Sequence, residues 1–85
     1  MDKQEVLHKI QRAFEKILEH NNFQLEDQTS AKDVDGWDSI THMMIITEIE
    51  ELYQIKFKLM DLMSMNTISD LIRAVEKEVE QDQTK

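Results

Sequence analysis

The chain has 85 residues, room for one domain with a thin core, because a fold this small buries only about 60% of the surface its unfolded chain exposes. It contains no cysteine, which excludes a disulfide framework, a thiolate metal site and a cysteine nucleophile, so any thiol the function needs must be brought in. Eighteen acidic against ten basic residues give a formal net charge of −8, which excludes nucleic acid as a ligand and disfavours anionic lipid, while suiting partners with basic patches.

The opening residues Met1-Asp2-Lys3-Gln4-Glu5 are polar and lead straight into helical periodicity, so the expectation is a soluble, cytoplasmic protein with no signal peptide and no membrane insertion. Val6, Leu7, Ile10, Ala13, Phe14, Ile17 and Leu18 recur at three- and four-residue spacing, which predicts an amphipathic helix from Asp2 to His20 capped by Asp2 with Glu5 three residues on. From Asn21 to Trp37 the periodicity stops, and Phe23, Leu25 and Val34 are the apolar anchors of a long polar loop. The chain's one glycine, Gly36, can close that loop, and Asp38 or Ser39 can cap the helix that follows, which places Ser39 at a helix N-terminus.

In this second helix Ile40, Met43, Ile46, Ile49 and Tyr53 are expected to face inward, with Ile45 and Leu52 widening the stripe. Thr41, Thr47, Glu48, Glu50 and Glu51 are left toward solvent, and Met44 falls clearly on neither side. Leu59, Leu62 and Met63 predict a short third helix. Thr67-Ile68-Ser69-Asp70 then reads as the cap of a last helix that turns Ile68, Leu71, Ile72, Val75 and Val79 inward. Gln54-Ile55-Lys56-Phe57 alternates but is too short to support a sheet. The expected fold is all-α: a small antiparallel bundle of three longer helices and one short one, with a long loop between the first two. Residues 1–80 form the domain and 81–85 a frayed tail.

Several readings compete at the loop's end. Asp33-Val34-Asp35-Gly36 imitates the middle of a calcium loop, but aligning Gly36 with the sixth position puts Ala31 first and His42 twelfth, so two principal ligands are missing. Ser39 with His42 as base would suggest a hydrolase, yet no Gly-x-Ser-x-Gly elbow exists and a bundle of this size cannot exclude water. His8, His20 and His42 lack the paired spacing of a metal site and read as surface residues, and no metal is expected.

The segment Gly36-Trp37-Asp38-Ser39-Ile40, set where a long loop meets an amphipathic helix, resembles the Gly-x-Asp-Ser-Leu attachment motif of the acyl carrier protein family. The likeness extends over nearly the whole chain, through the order of helices and the long first loop. It implies that Ser39 carries 4′-phosphopantetheine donated by coenzyme A, with Gly36, Asp38 and Ile40 as the surrounding motif, and that the protein is a monomeric carrier and not an enzyme. The partners it implies are a phosphopantetheinyl transferase and acyl-loading and acyl-processing enzymes. The flexible arm would supply the thiol that a cysteine-free chain lacks, and the positive end of the helix dipole would tolerate the phosphodiester.

Two positions depart from the family pattern. Ile40 stands where leucine is usual, a volume-conserving change expected to preserve burial. Thr41-His42-Met43-Met44 stands where carriers of fatty-acid synthesis have acidic residues, which favours a dedicated biosynthetic pathway, while Gly36-Trp37-Asp38-Ser39, closer to the acyl than to the peptidyl carrier pattern, favours acyl over aminoacyl or peptidyl cargo. By the same resemblance Thr41, Met44, Thr47, Glu48 and Glu51 form the partner-docking face. Met43, Met60, Met63 and Met65 are expected in the core as gap-fillers. Trp37 is expected to act as a hydrophobic staple. The reading from another class is a cofactor-free acidic adaptor in which Ser39 only caps its helix.

Overall fold

A computed structural model describes residues 2–83 of the chain, with side chains through residue 80. Helix α1 spans Lys3–Leu18. The Asp2 carboxylate accepts the amide of Gln4 at 3.0 Å and starts the helix, and Glu19, in the left-handed region at φ 61°, ends it. Val6, Ile10, Ala13 and Phe14 fall on one face at helical spacing and are buried.

The long loop is pinned by main-chain bonds. The amides of Ile68 and Ser69 donate to the carbonyls of Thr29 and Asp27 at 3.0 and 3.1 Å. The loop therefore satisfies amides at the start of the last helix that would otherwise lack partners. Buried Thr29 braces the loop from within, its hydroxyl accepting from the amide of Glu26 at 2.9 Å. Leu25 and Val34 are buried and Phe23 is half-buried, as expected of anchors. A 3-10 turn occupies Ala31–Asp33, where the carboxylate of Asp33 accepts the amide of Ser30.

Helix α2 spans Ser39–Tyr53, α3 Leu59–Met63 and α4 Ile68–Gln83. Helix α1 packs against both α2 and α4. Between α2 and α3 the chain runs extended, burying Ile55 and Phe57, and the Glu50 carboxylate accepts the amide of Phe57 at 2.9 Å. The start of α4 carries the expected reciprocal cap: the Asp70 carboxylate accepts from the amide of Thr67, and the Thr67 hydroxyl from that of Asp70. Ile68, Leu71, Ile72 and Val75 point inward and Val79 packs against the core. Helix α4 continues through Gln83, and the remainder of the expected frayed tail lies outside the described residues. Among the described residues the regular structure is helical, with one isolated bridge between Ser30 and Thr67.

The inward face of α2 differs from expectation. Ile45, Ile46 and Ile49 are buried, whereas Ile40 is 73% exposed and Met43 and Leu52 are also exposed. The helix is apolar around most of its circumference near its start, so spacing alone does not choose a face. The choice falls to α1, which meets the isoleucine trio. The expected methionine core largely fails: Met65 is buried, but Met43 is exposed with the outward face of α2, and Met60 and Met63 are exposed on α3, from which Leu62 packs against the core.

This assignment of faces is testable by urea denaturation. Ile45→Ala should lose about 2–5 kcal/mol, while Ile40→Ser should change stability by no more than about 0.5 kcal/mol. Equal losses would mean that the face of α2 is wrongly assigned.

Candidate functional site

Gly36, Trp37, Asp38 and Thr41 build the entrance to α2. Gly36 adopts φ 89°, a backbone region that residues with a Cβ rarely enter, and so lets the loop turn into the helix. Asp38 is the N-cap: one carboxylate oxygen accepts the amides of Ile40 and Thr41, each at 2.9 Å. In return the Thr41 hydroxyl accepts the Asp38 amide at 2.8 Å and donates to the Gly36 carbonyl. His20 braces the same turn from α1's end, its Nε2–H donating to the Asp35 carbonyl at 2.8 Å while Nδ1 accepts from Asn22.

Ser39 is the first residue of α2. It is exposed, and its hydroxyl makes no hydrogen bond to any described residue. Trp37, immediately before the cap, is only 5% exposed. It packs edge-on against Phe14, with ring centroids 4.8 Å apart, and its indole N–H donates to His42 Nδ1 at 3.0 Å. His20 and His42 are therefore half-buried and partnered, and of the three histidines only His8 is an exposed surface residue.

A groove of about 430 Å³ opens beside Ser39, bordered by Trp37, His42 and Met43 on one side and Met65 and Asn66 on the other. His42 Nδ1 is taken by Trp37, and no Ser39–His42 hydrogen bond forms, so a serine nucleophile with its base is not assembled. Among the described residues no group of three His, Asp or Glu side chains could hold a metal ion.

The expected docking residues divide. Met44 (49% exposed), Thr47 and Glu51 face outward. Thr41 spends its hydroxyl on the cap. Glu48 is not left to solvent: its side chain is only 15% exposed and both carboxylate oxygens accept from Lys16 Nζ at 3.1 Å, tying α2 to α1. Glu50 likewise serves the chain turn at Phe57. Sequence reasoning missed Ile40 and Met43 as outward residues. With Met44 they form an apolar strip leading away from Ser39, and Leu59, Met60 and Met63 of α3 are exposed as well.

An exposed, unbonded serine thus stands at the head of the second helix of a small four-helix fold. The chain belongs to the phosphopantetheine carriers of the acyl carrier protein family: the family profile "Phosphopantetheine attachment site" matches residues 8–75. The solution structure of a holo acyl carrier protein from Geobacter metallireducens is similar at a TM-score of 0.84 and 32% identity, over 93% of this chain and 91% of that one. No curated protein sequence matches. The groove suits the prosthetic group of this family: it begins at a free hydroxyl, its walls at Trp37, Met43 and Met65 are apolar for methylenes, and Asn66 offers an amide. When attached, the group supplies a thiol at the end of a flexible arm.

The cap has a pH signature. The amide of Thr41 above all holds the Asp38 carboxyl below its ordinary range, with that of Ile40 and the Thr41 hydroxyl helping to outweigh the opposing effect of desolvation. Asp70 is lowered in the same way by the amide of Asn66, then that of Thr67 and the charge of Arg73. A carboxylate depressed in the native state contributes stability above its unfolded value of about 4, and the contribution disappears as pH falls through the native value. In urea titrations across the acid range, Asp38→Asn should flatten the loss of stability below about pH 4. An unchanged acid limb would show that the cap carries no charge-dependent stability.

Proposed function

We propose that Ser39 is the attachment point of the 4′-phosphopantetheine arm, and that the chain ferries acyl or related groups as thioesters between enzymes of a dedicated biosynthetic pathway. The observation that carries this reading is the free, exposed hydroxyl of Ser39 at the first turn of α2, framed by Gly36, Asp38 and Ile40. Ile40 stands 73% exposed directly after it. A modifying transferase can thus contact that side chain without disturbing the core.

Partner enzymes are proposed to read α2 through Ile40, Met43 and Met44, with Thr47 and Glu51 farther along the helix. The apolar strip gives contact area, and Glu51 gives a weak, salt-screened attraction to a basic patch. The absence of acidic side chains from the first turn of α2 supports a partner set other than that of general fatty-acid synthesis.

Intact mass before and after incubation with coenzyme A and a broad-specificity phosphopantetheinyl transferase tests the attachment. One phosphopantetheinyl increment is expected on the wild type and none on Ser39→Ala. An unmodified, well-folded wild type would favour the cofactor-free adaptor. For docking, Met44→Glu should lower kcat/KM of a loading enzyme about tenfold or more, the scale of an apolar contact worth at least 1.4 kcal/mol. Glu48→Gln should alter stability more than turnover, because Glu48 is engaged by Lys16.

A further inference from the structure

His42 is held in one tautomer by a neighbour that can only donate. The indole N–H of Trp37 lies 3.0 Å from His42 Nδ1, and indole offers no acceptor. Nδ1 must therefore accept, and the proton of the neutral imidazole resides on Nε2. The two rings are stacked at 5.9 Å with 22° between their planes. Trp37 is itself clamped edge-on by Phe14. The imidazole thus has a fixed orientation as well as a fixed tautomer, and burial, by lowering its pKa, keeps it neutral near pH 7. Its Nε2–H is given to no described residue. Three residues apart on α2, Ser39 and His42 are neighbours across one helical turn, and both border the groove.

The start of α2 is poorly supplied with donors for an anion on Ser39. The first-turn amides that would ordinarily serve, those of Ile40 and Thr41, are already held by the Asp38 carboxylate, itself a negative charge one residue away. No lysine or arginine borders the groove. Of the first-turn amides only that of Ser39 itself is left by the cap, so further donors would have to come from side chains beside the groove. Asn66 stands across the groove, and His42 is on the helix of Ser39.

Resting on the assignment of the arm to Ser39, we infer that His42 is a positioning residue for it: the Nε2–H donates to the phosphodiester, and Trp37 fixes the ring that presents it. Protonation of His42 places a hydrogen on both ring nitrogens, so Nδ1 can no longer accept from Trp37 and the brace is lost in acid. Asp38 is the other titrating group bordering the groove. Helix α1 meets the pair with Phe14, and the segment before α4 with Met65 and Asn66, none of which ionises.

The test uses holo protein whose single mass increment has been verified, followed by imidazole ¹⁵N and by ³¹P resonances from about pH 5 to pH 8, the range in which histidine titrates. A phosphodiester does not ionise there, so a ³¹P shift reports its neighbour. The expected result is a ³¹P resonance that moves with the His42 midpoint, a midpoint raised by attachment of the arm, and the Nε2–H tautomer at neutral pH. His42→Gln, which keeps a donor near the Nε2 position, should hold the neutral-pH ³¹P shift near that of the wild type. His42→Asn, which keeps an acceptor for Trp37 but places nothing at Nε2, should lose that shift while the Trp37 indole N–H stays bonded. A ³¹P signal indifferent to His42 titration in the wild type overturns the inference without requiring any variant. So does an unchanged signal in His42→Asn. A protein that takes up no arm at all fails earlier, on the Ser39 assignment.

Discussion

The Asp38 carboxylate, holding the amides of Ile40 and Thr41, sets where α2 begins. Because the cap falls on Asp38, Ser39 becomes the first helical residue, on the rim of the fold with its hydroxyl free. Later side chains follow at about 100° each, and contact with α1 selects which of them are buried. Ile45, Ile46 and Ile49 then meet α1, and Ile40, Met43 and Met44 turn outward beside Ser39.

Trp37 joins this entrance to the core. One residue before the cap, it is anchored below by Phe14 and gives its indole proton to His42 on the first turn of α2. Phe14 also touches Phe23, so the loop, α1 and the head of α2 share one aromatic contact set. Such packing surrounds the exposed serine with well-packed aromatic contacts.

The negative charge is distributed by task. Asp38 and Asp70 cap helices, Glu48 ties α2 to α1, and Glu50 holds the turn into Phe57. Glu51 remains as an outward charge on α2 beyond the apolar strip. An acidic composition here is not equivalent to an acidic docking surface, since a carboxylate satisfied by a backbone amide or a lysine presents little field to a partner.

Local chemistry made the helices, their caps and the place of Ser39 readable from the amino acids. Asp2, Asp38 and the Thr67–Asp70 pair act over three or four residues, and the stripes of α1 and α4 are strongly one-sided. The segment that resembles the family's attachment motif was legible for the same reason, being contiguous. Which face of α2 is buried was not legible, because Ile40, Met43, Met44, Ile45 and Ile46 offer apolar surface in nearly every direction and only contact with α1 selects among them. Nor did spacing reveal that His42 is fixed by Trp37, or that Glu48 belongs to Lys16, thirty-two residues away. Short-range hydrogen bonds determined the elements and the serine. Long-range packing, which exists only once the helices meet, decided what surrounds that serine and what a partner enzyme can touch.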